Sequence, residues 1–579
     1  MDAIERLEAI LETRTPKHAG LRADPARRLT GPGLLWKRPG AVLDVYLQGF
    51  DREAVTALWE THARRVLDAL GWQDEHLICR RFEGGVSLAI SAPSDQLHTA
   101  VLAAEIAWHY CAADLLDAAS LPFGDVIGDL KPIMAGEANP PLLDLIAAAA
   151  SYDVDILWDD DEVSLGHGTT SRTWPASDLP APQTVGWTAL SDVPIALITG
   201  TNGKTTTTRL CAAILSAAGK VAGLSSTDTV QVGSDVLDRG DYSGPGGARM
   251  VLRDPRVEVA ILEVARGGIL RRGLATGRAS VAVVTNIAKD HLGEYGVMTL
   301  PDLARTKFAV ARALGPDGTL VLNADDATVT AASADVAAPI WWFSLDGASP
   351  YIAEARKLGR PCAYVRRGDL VFFDGSTEVF SIAIEDVPIL LNGAARHNVQ
   401  NALAAICACA ALNVPSGAIR DGLSAFVSDP KDNPGRFNEF EVNGARIFVD
   451  YAHNPHSIAA VCSALTQIPA KRRLLMISQP GDRSDQDIKD AMTTALQFRP
   501  DLIAIAEIAD YLRGRQLNET PSCIRDAAIA GGIASKNILM AGSPSDGANS
   551  ILKQMQPGDL ALLLVLSDRE RVFELLAAT

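Results

Sequence analysis

The stretch "LITGTNGKTTTTRL", Leu197 to Leu210, constrains the fold more than any other. An apolar run, Ile195 to Ile198, leads into a glycine-rich turn, and a helix-like segment follows from about Thr205. Strand, glycine turn and helix in that order form the setting of a phosphate-binding loop. Gly200 and Gly203 let the backbone turn tightly and aim its N–H groups at an anion. Lys204 can reach the β- and γ-phosphates, Thr205 can offer its hydroxyl to Mg²⁺, and the helix N-terminus adds favourable dipole charge. Only two residues separate the glycines, a departure from the common G-x-x-x-x-G-K-[ST] spacing.

The surroundings predict an α/β fold. "PIALITG", "VEVAILEV", "ASVAVVTNI" and "GTLVLNADD" are short continuous runs of Val, Ile and Leu, the pattern of strands buried on both faces of a parallel sheet. "ARIFVDYAH", "RRLLMISQPG", "DLIAIAEI", "NILMAG" and "LALLLVLSD" repeat the pattern nearer the C-terminus, each followed by a helix-like segment. The expected division is residues 1–188, 189–430 and 431–579. The first unit mixes helical stretches such as "LHTAVLAAEIAWHYCAADLL" with strands such as "VSLAISAP", an α+β pattern. It closes on "TTSRTWPASDLPAPQTVGW", which reads as a linker or extended connection.

Charge and cysteine usage exclude several classes. Seventy acidic against 53 basic residues leave a formal charge of -17, which argues against nucleic acid as the main partner. The eight cysteines are scattered without a CxxC pair and read as small core residues in a reducing compartment. The opening "MDAIERLEAILETR" lacks the basic and apolar regions of a signal peptide, and no apolar run reaches membrane-spanning length. A cytoplasmic protein with no membrane partner is expected.

Further chemistry is expected just beyond strand C-terminal ends, where open parallel sheets bind ligands. Glu263 ends "VEVAILE", and a carboxylate there suits Mg²⁺. His291 lies in the Asn-Asp-His turn of "TNIAKDHLG" and is a candidate ligand; Lys307, in "DLARTKF", sits on a helix and on its own reads as a surface lysine.

Together these segments carry a resemblance. "GTNGKTTTT", "LEVARGG", "TNIAKDHLG", "HNVQNALAA" and "PGRFN…VDYAHNP" resemble the Mur ligase superfamily of ATP-dependent amide-forming ligases. "GDYSGPGGARMVLRDPRVEVAILEVARGGILRRGLA" and "QPGDRSDQDI" are closer still to the Mur half of the cyanophycin synthetase family, over about residues 190–579. The resemblance implies a P-loop central domain and a Rossmann-like C-terminal domain. "AAAASYDVDILWDDDEVSLGHG" resembles the end of that family's N-terminal domain, after which an ATP-grasp domain is expected. Here the chain runs from Gly168 to Gly200 with no room for one.

The resemblance also implies roles. Gly200, Thr201, Asn202, Gly203, Lys204, Thr205 and Thr206 would hold ATP phosphates. Thr205 and Glu263 would bind a first Mg²⁺, and His291 a second, supported by a carbamylated Lys307. Asn398 and Asn401 would lie near the adenine and Asp450 near the ribose. Arg436 would reach the γ-phosphate on domain closure, with "SDPKDNPGR", residues 428–436, as the hinge. His453 would be either catalytic or a structural turn histidine. The implied activity is ADP-forming ligation of a carboxylate to an amine through an acyl phosphate, without complete cyanophycin polymerisation. Amino acids or peptides would be the substrates, a homo-oligomer the assembly and a separate ATP-grasp enzyme a candidate partner. Two alternatives stand beside it: a degenerate nucleotide-binding scaffold, and a folate or cell-wall ligase. Arg249, Arg253, Arg266, Arg271 and Arg272 are candidate carboxylate binders, "YSGPGG" a candidate acceptor-site wall, and Asp482 and Arg483 candidate contacts to the second substrate.

Overall fold

Four sheets organise the chain in a computed structural model that describes residues 2–578. The largest has eleven strands and spans Ile195–Ala383. Its interior is parallel: Ala222–Ser225, Val259–Glu263, Ile195–Thr199, Ala279–Val284, Leu314–Asn323, Ile340–Ser344 and Cys362–Arg366 lie side by side in that order. Antiparallel strands close both edges. The continuous apolar runs occupy this interior because helices cover both faces, so neither side of a strand meets water. One core layer holds Leu197, Leu262 and Ala282, and the other Ala196, Ile261 and Val283.

Ile195–Thr199 sits between Val259–Glu263 and Ala279–Val284. The chain leaves it toward one edge at Ala222–Ser225 and later builds toward the other at Leu314–Asn323. Such a switch point opens a crevice at the strand C-termini. The helix Lys204–Ala217 starts directly from it. The helix Ser416–Ala425 packs on that helix through Gly422, where a Cβ would lie 2.5 Å from the Ile214 Cα.

The C-terminal sheet has six strands, with Ala445–Asp450, Leu560–Leu564, Arg473–Ile477, Leu502–Ala506 and Ile538–Ala541 parallel and Asn438–Val442 antiparallel at one edge. All five C-terminal runs singled out in the sequence are strands.

Residues ahead of the phosphate loop build two sheets. A five-stranded antiparallel one, centred on Gly40–Leu47 and Gly85–Ser91, packs against the helices Arg52–Leu70 and Leu97–Leu115. A three-stranded one contains Ile156–Trp158, Glu162–Leu165 and Arg172–Pro175. This last strand falls within "TTSRTWPASDLPAPQTVGW", the segment read as a linker or extended connection, and gives it an ordered place beside the other two. Apolar anchors order the segment: Trp187 packs with Leu145, Ala149 and Leu165, and Tyr152 stacks on its ring at 4.8 Å. Six cysteines are buried and all eight are free thiols. Among the described residues, no helix is long and apolar enough to cross a membrane.

Candidate active site

The phosphate loop is held from beneath by its neighbour strand. Thr201 N–H donates to the Asn286 carbonyl (2.9 Å) and its hydroxyl to the Ala288 carbonyl (3.1 Å). Asn286 brackets Asn202, accepting from its N–H (2.9 Å) and donating to its carbonyl (3.0 Å). Gly203 takes φ +85°, a left-handed conformation, and a side chain there would run into the Asn401 amide. The helix that follows has no side-chain cap, so its first N–H groups face the crevice without an intrahelical partner. Lys204 Nζ donates back to the Thr201 carbonyl (3.0 Å).

Glu263 ends its strand 2% exposed. Thr205 Oγ1 donates to it at 2.8 Å, while the Thr227 hydroxyl lies 3.0 Å from Thr205 and 3.4 Å from both Glu263 oxygens. Burial pushes this carboxyl up, against the pull of Lys204 and the Thr205 hydrogen bond. These are all oxygen donors, the set a hard cation such as Mg²⁺ takes. Among the described residues no group of three His, Cys, Asp or Glu is placed to hold a metal ion.

The loop opens into a cleft of about 930 Å³, lined by Thr201–Thr206, Glu263, Asn398, Asn401, Arg436, Asp450 and His453. It therefore lies between the middle sheet and the C-terminal sheet, and residues distant in sequence converge on it. Asn401 donates to Asn398 (3.2 Å) on the helix Arg396–Ala411. Asp450 accepts from the N–H groups of Phe437 (2.8 Å) and Ala452 (2.7 Å), yet burial still raises its carboxyl to about 6. The Arg436 guanidinium lies over the Tyr451 ring at 4.5 Å, and Asp228 leads the groups that hold it protonated against burial. His453 keeps its Nδ1 on the Tyr451 carbonyl (3.0 Å), a turn contact.

Lys307, Gly200 and His291 stand outside this lining. Lys307, 4% exposed, donates to the Gly200 carbonyl at 2.7 Å from beneath the loop. It is no surface lysine, which corrects the reading of that residue on its own: burial, reinforced by Lys204, drives its pKa well below the usual lysine range. His291 has its Nε2 3.0 Å from an Arg483 nitrogen, and Arg483 also pairs with Asp290 at 3.0 Å. Burial lowers His291 to about 4, so its ring is neutral. A second ion at this nitrogen would require Arg483 to give up the contact.

Most of the arginine candidates pair within the protein. Arg249 and Arg253 meet Asp159, Arg253 also meets Glu162, and Arg266 meets Glu294. Asp482 meets Arg513. Arg272 has no ion-pair partner among the described residues. The segment from Ser243 to Pro245 lines a small cavity that ends on Glu263.

Several contacts escaped the sequence reading. Thr227, which touches both Thr205 and Glu263, follows the strand Ala222–Ser225, so its place past a strand end was the available signal. Asn454 and His456 reach across to Asn202 at 3.0 and 2.9 Å and join the two domains at the loop.

Residues 198–409 match the Mur ligase middle domain, and residues 435–564 match the Mur ligase glutamate ligase domain. The chain is 38% identical over 364 residues to a cyanophycin synthetase of Trichormus variabilis, covering 63% of this chain and 39% of that protein. It therefore spans about two-fifths of the length of such relatives. A UDP-N-acetylmuramate–L-alanine ligase of Polaromonas naphthalenivorans is 27% identical over 389 residues, 63% of this chain and 71% of the relative. Among solved structures, E. coli FolC in complex with DHPP and ADP aligns with a TM-score of 0.49 at 20% identity, over 66% of this chain and 89% of FolC. With two domain matches that together take in more than half of its length, the chain belongs to the Mur ligases.

Proposed function

We propose that the protein is an ATP-dependent ligase that joins a carboxylate to an amine. One observation carries this reading: an uncapped phosphate loop, the Thr205–Glu263 oxygen pair and Arg436 all face one cleft between two domains. ATP is a substrate here. Lys204, the loop N–H groups from Gly200 to Thr206 and Arg436 take its phosphates, Asn398 and Asn401 lie by the base, and Asp450 takes the ribose. Mg²⁺ held at Thr205 and Glu263 supplies charge neutralisation at the phosphate oxygens. Burial lowers the pKa of Lys307 and so favours its free amine, the form that reacts with carbon dioxide, which supports carbamylation there.

A carboxylate does not condense with an amine in neutral water, because its oxygen is a poor leaving group. Attack of a carboxylate oxygen on the γ-phosphorus breaks the bond to ADP and leaves an acyl phosphate. The amine then attacks the carbonyl carbon, phosphate leaves with the carboxylate oxygen, and the amine gives up a proton. Negative charge builds at the transferring group, so cations fixed in place lower the barrier. Lys204 and Arg436 provide them from two domains, so closure assembles the site and excludes water.

The resemblance to cyanophycin synthetase over the shared region favours an aspartate-like carboxylate and an amino acid amine. The test is phosphate release by purified protein with Mg²⁺-ATP, across single amino acids, pairs and aspartate-rich peptides, with products weighed. Release that requires one pair, with a product lighter than their sum by one water, supports the reading. Nucleotide binding without release for any carboxylate favours the scaffold alternative.

A further inference from the structure

Next to the cleft, one carboxylate faces three guanidinium groups. Asp228 follows Thr227 at the end of the strand Ala222–Ser225. Arg569 Nη1 donates to its Oδ1 at 2.9 Å, while Arg436 and Arg209 nitrogens stand 3.6 and 3.7 Å from its Oδ2. All four side chains are largely shielded, with Asp228 9% and Arg209 8% exposed. Arg209 belongs to the helix of the phosphate loop; Arg436 and Arg569 come from the far side of the cleft. The same arginines grip the connection between domains, Arg209 donating to the Asp432 carbonyl (2.9 Å) and Arg569 to the Pro434 carbonyl (3.1 Å).

Asp228 is the carboxylate that all three guanidiniums share; Glu263 also acts on Arg209 and Arg436, and Asp450 on Arg436. Without Asp228 the guanidiniums would repel one another across the domain boundary. Asp228 Oδ2 makes no hydrogen bond, although two guanidiniums stand near it. Arg436 is thus held by charge, by the Tyr451 ring and by a long hydrogen bond to the Gly435 carbonyl (3.3 Å), not locked in a bidentate pair, so it can turn toward an anion in the cleft without breaking a short bond.

We propose that Asp228 is a positioning residue: through Arg569 it holds the C-terminal domain closed over the cleft, and it keeps Arg436 aimed at the site of the transferring phosphate. The second half of this rests on the reading of the cleft as an ATP site; the first half does not.

The test uses the full chain without nucleotide. In Asp228→Asn, amide hydrogen exchange across residues 428–438 should quicken by about tenfold or more, because three guanidiniums lose the carboxylate they share. The radius of gyration in solution should rise. Arg569→Met, at the most exposed of the four side chains, should give the same exchange signature, and the double variant should add little to either single one. With substrates, Asp228→Asn should lower kcat more than it raises the KM for ATP, and Asp228→Glu should recover part of the loss. Wild-type exchange at 428–438 in both single variants, or fully additive effects, would overturn the proposal. Faster exchange in a protein that binds no nucleotide would uphold the closure role and count against the reading of the cleft.

Discussion

Gly203→Ala is a sharp test of the phosphate loop. The residue sits at φ +85°, so an alanine meets left-handed strain of roughly 1–2 kcal/mol. Its Cβ would also displace the Asn401 amide, whose buried hydrogen bond to Asn398 (3.2 Å) contributes about 1 kcal/mol. The two costs total about 2–3 kcal/mol, and both fall on the geometry of the loop proposed to receive the nucleotide. If that geometry is what ATP selects, affinity for Mg²⁺-AMP-PNP drops roughly 30- to 150-fold. Calorimetric titration reads this directly. Gly514→Ala is the control: it carries similar strain at φ +98° but has open space around it, so nucleotide affinity should not change. A folded Gly203→Ala protein that binds nucleotide within about twofold of wild type would refute the reasoning.

Three further outcomes are expected. Glu263→Gln removes a buried carboxylate whose folded pKa lies above its unfolded one, a group whose ionisation costs stability as pH rises. The metal-free variant should therefore melt no lower than wild type at pH 7, yet lose Mg²⁺ affinity by at least about tenfold in titrations followed by nucleotide binding. Asp450 has a folded pKa of about 6 against an ordinary 3.8, so its contribution to stability is full below the unfolded value and is lost as pH climbs through the folded one. In urea unfolding of the C-terminal domain, wild type should lose about 2 kcal/mol relative to Asp450→Asn between pH 4 and pH 7; parallel profiles would count against the shift. Arg80, from the N-terminal sheet, donates to the Tyr295 (3.2 Å) and Gly296 (2.9 Å) carbonyls and lies 3.7 Å from Asp302. Arg80→Ala should cost about 2–4 kcal/mol and speed hydrogen exchange in the loop after His291.

The loop and the strands were legible because each is a contiguous signal. Gly200, Gly203, Lys204 and Thr205 are neighbours in sequence and in space, and runs such as "VEVAILE" state their burial outright. The far wall of the cleft was not legible from spacing. Arg569 and Asp228 are 341 residues apart and meet only through the stacking of two sheets. Arg436, Asn398 and Asp450 were reached through the family resemblance, and nothing in their local pattern marks them. Lys307 shows the same limit: burial under the loop decides its chemistry, and burial of one helical lysine is a property of the tertiary packing. The order of the segment before the phosphate loop was not legible either: Pro, Ser and Thr suggest a linker or extended connection, while its two tryptophans, Trp174 and Trp187, supply the apolar surface that orders it.

The most direct measurement follows oxygen. Candidate carboxylates labelled with heavy oxygen are incubated with the protein, Mg²⁺-ATP and hydroxylamine, which replaces the unknown amine. Ligation through an acyl phosphate should yield a hydroxamate and move one labelled oxygen into each phosphate released. Hydroxamate formed with unlabelled phosphate, or ATP cleaved with the label left entirely in the carboxylate, would contradict carboxylate activation at this site.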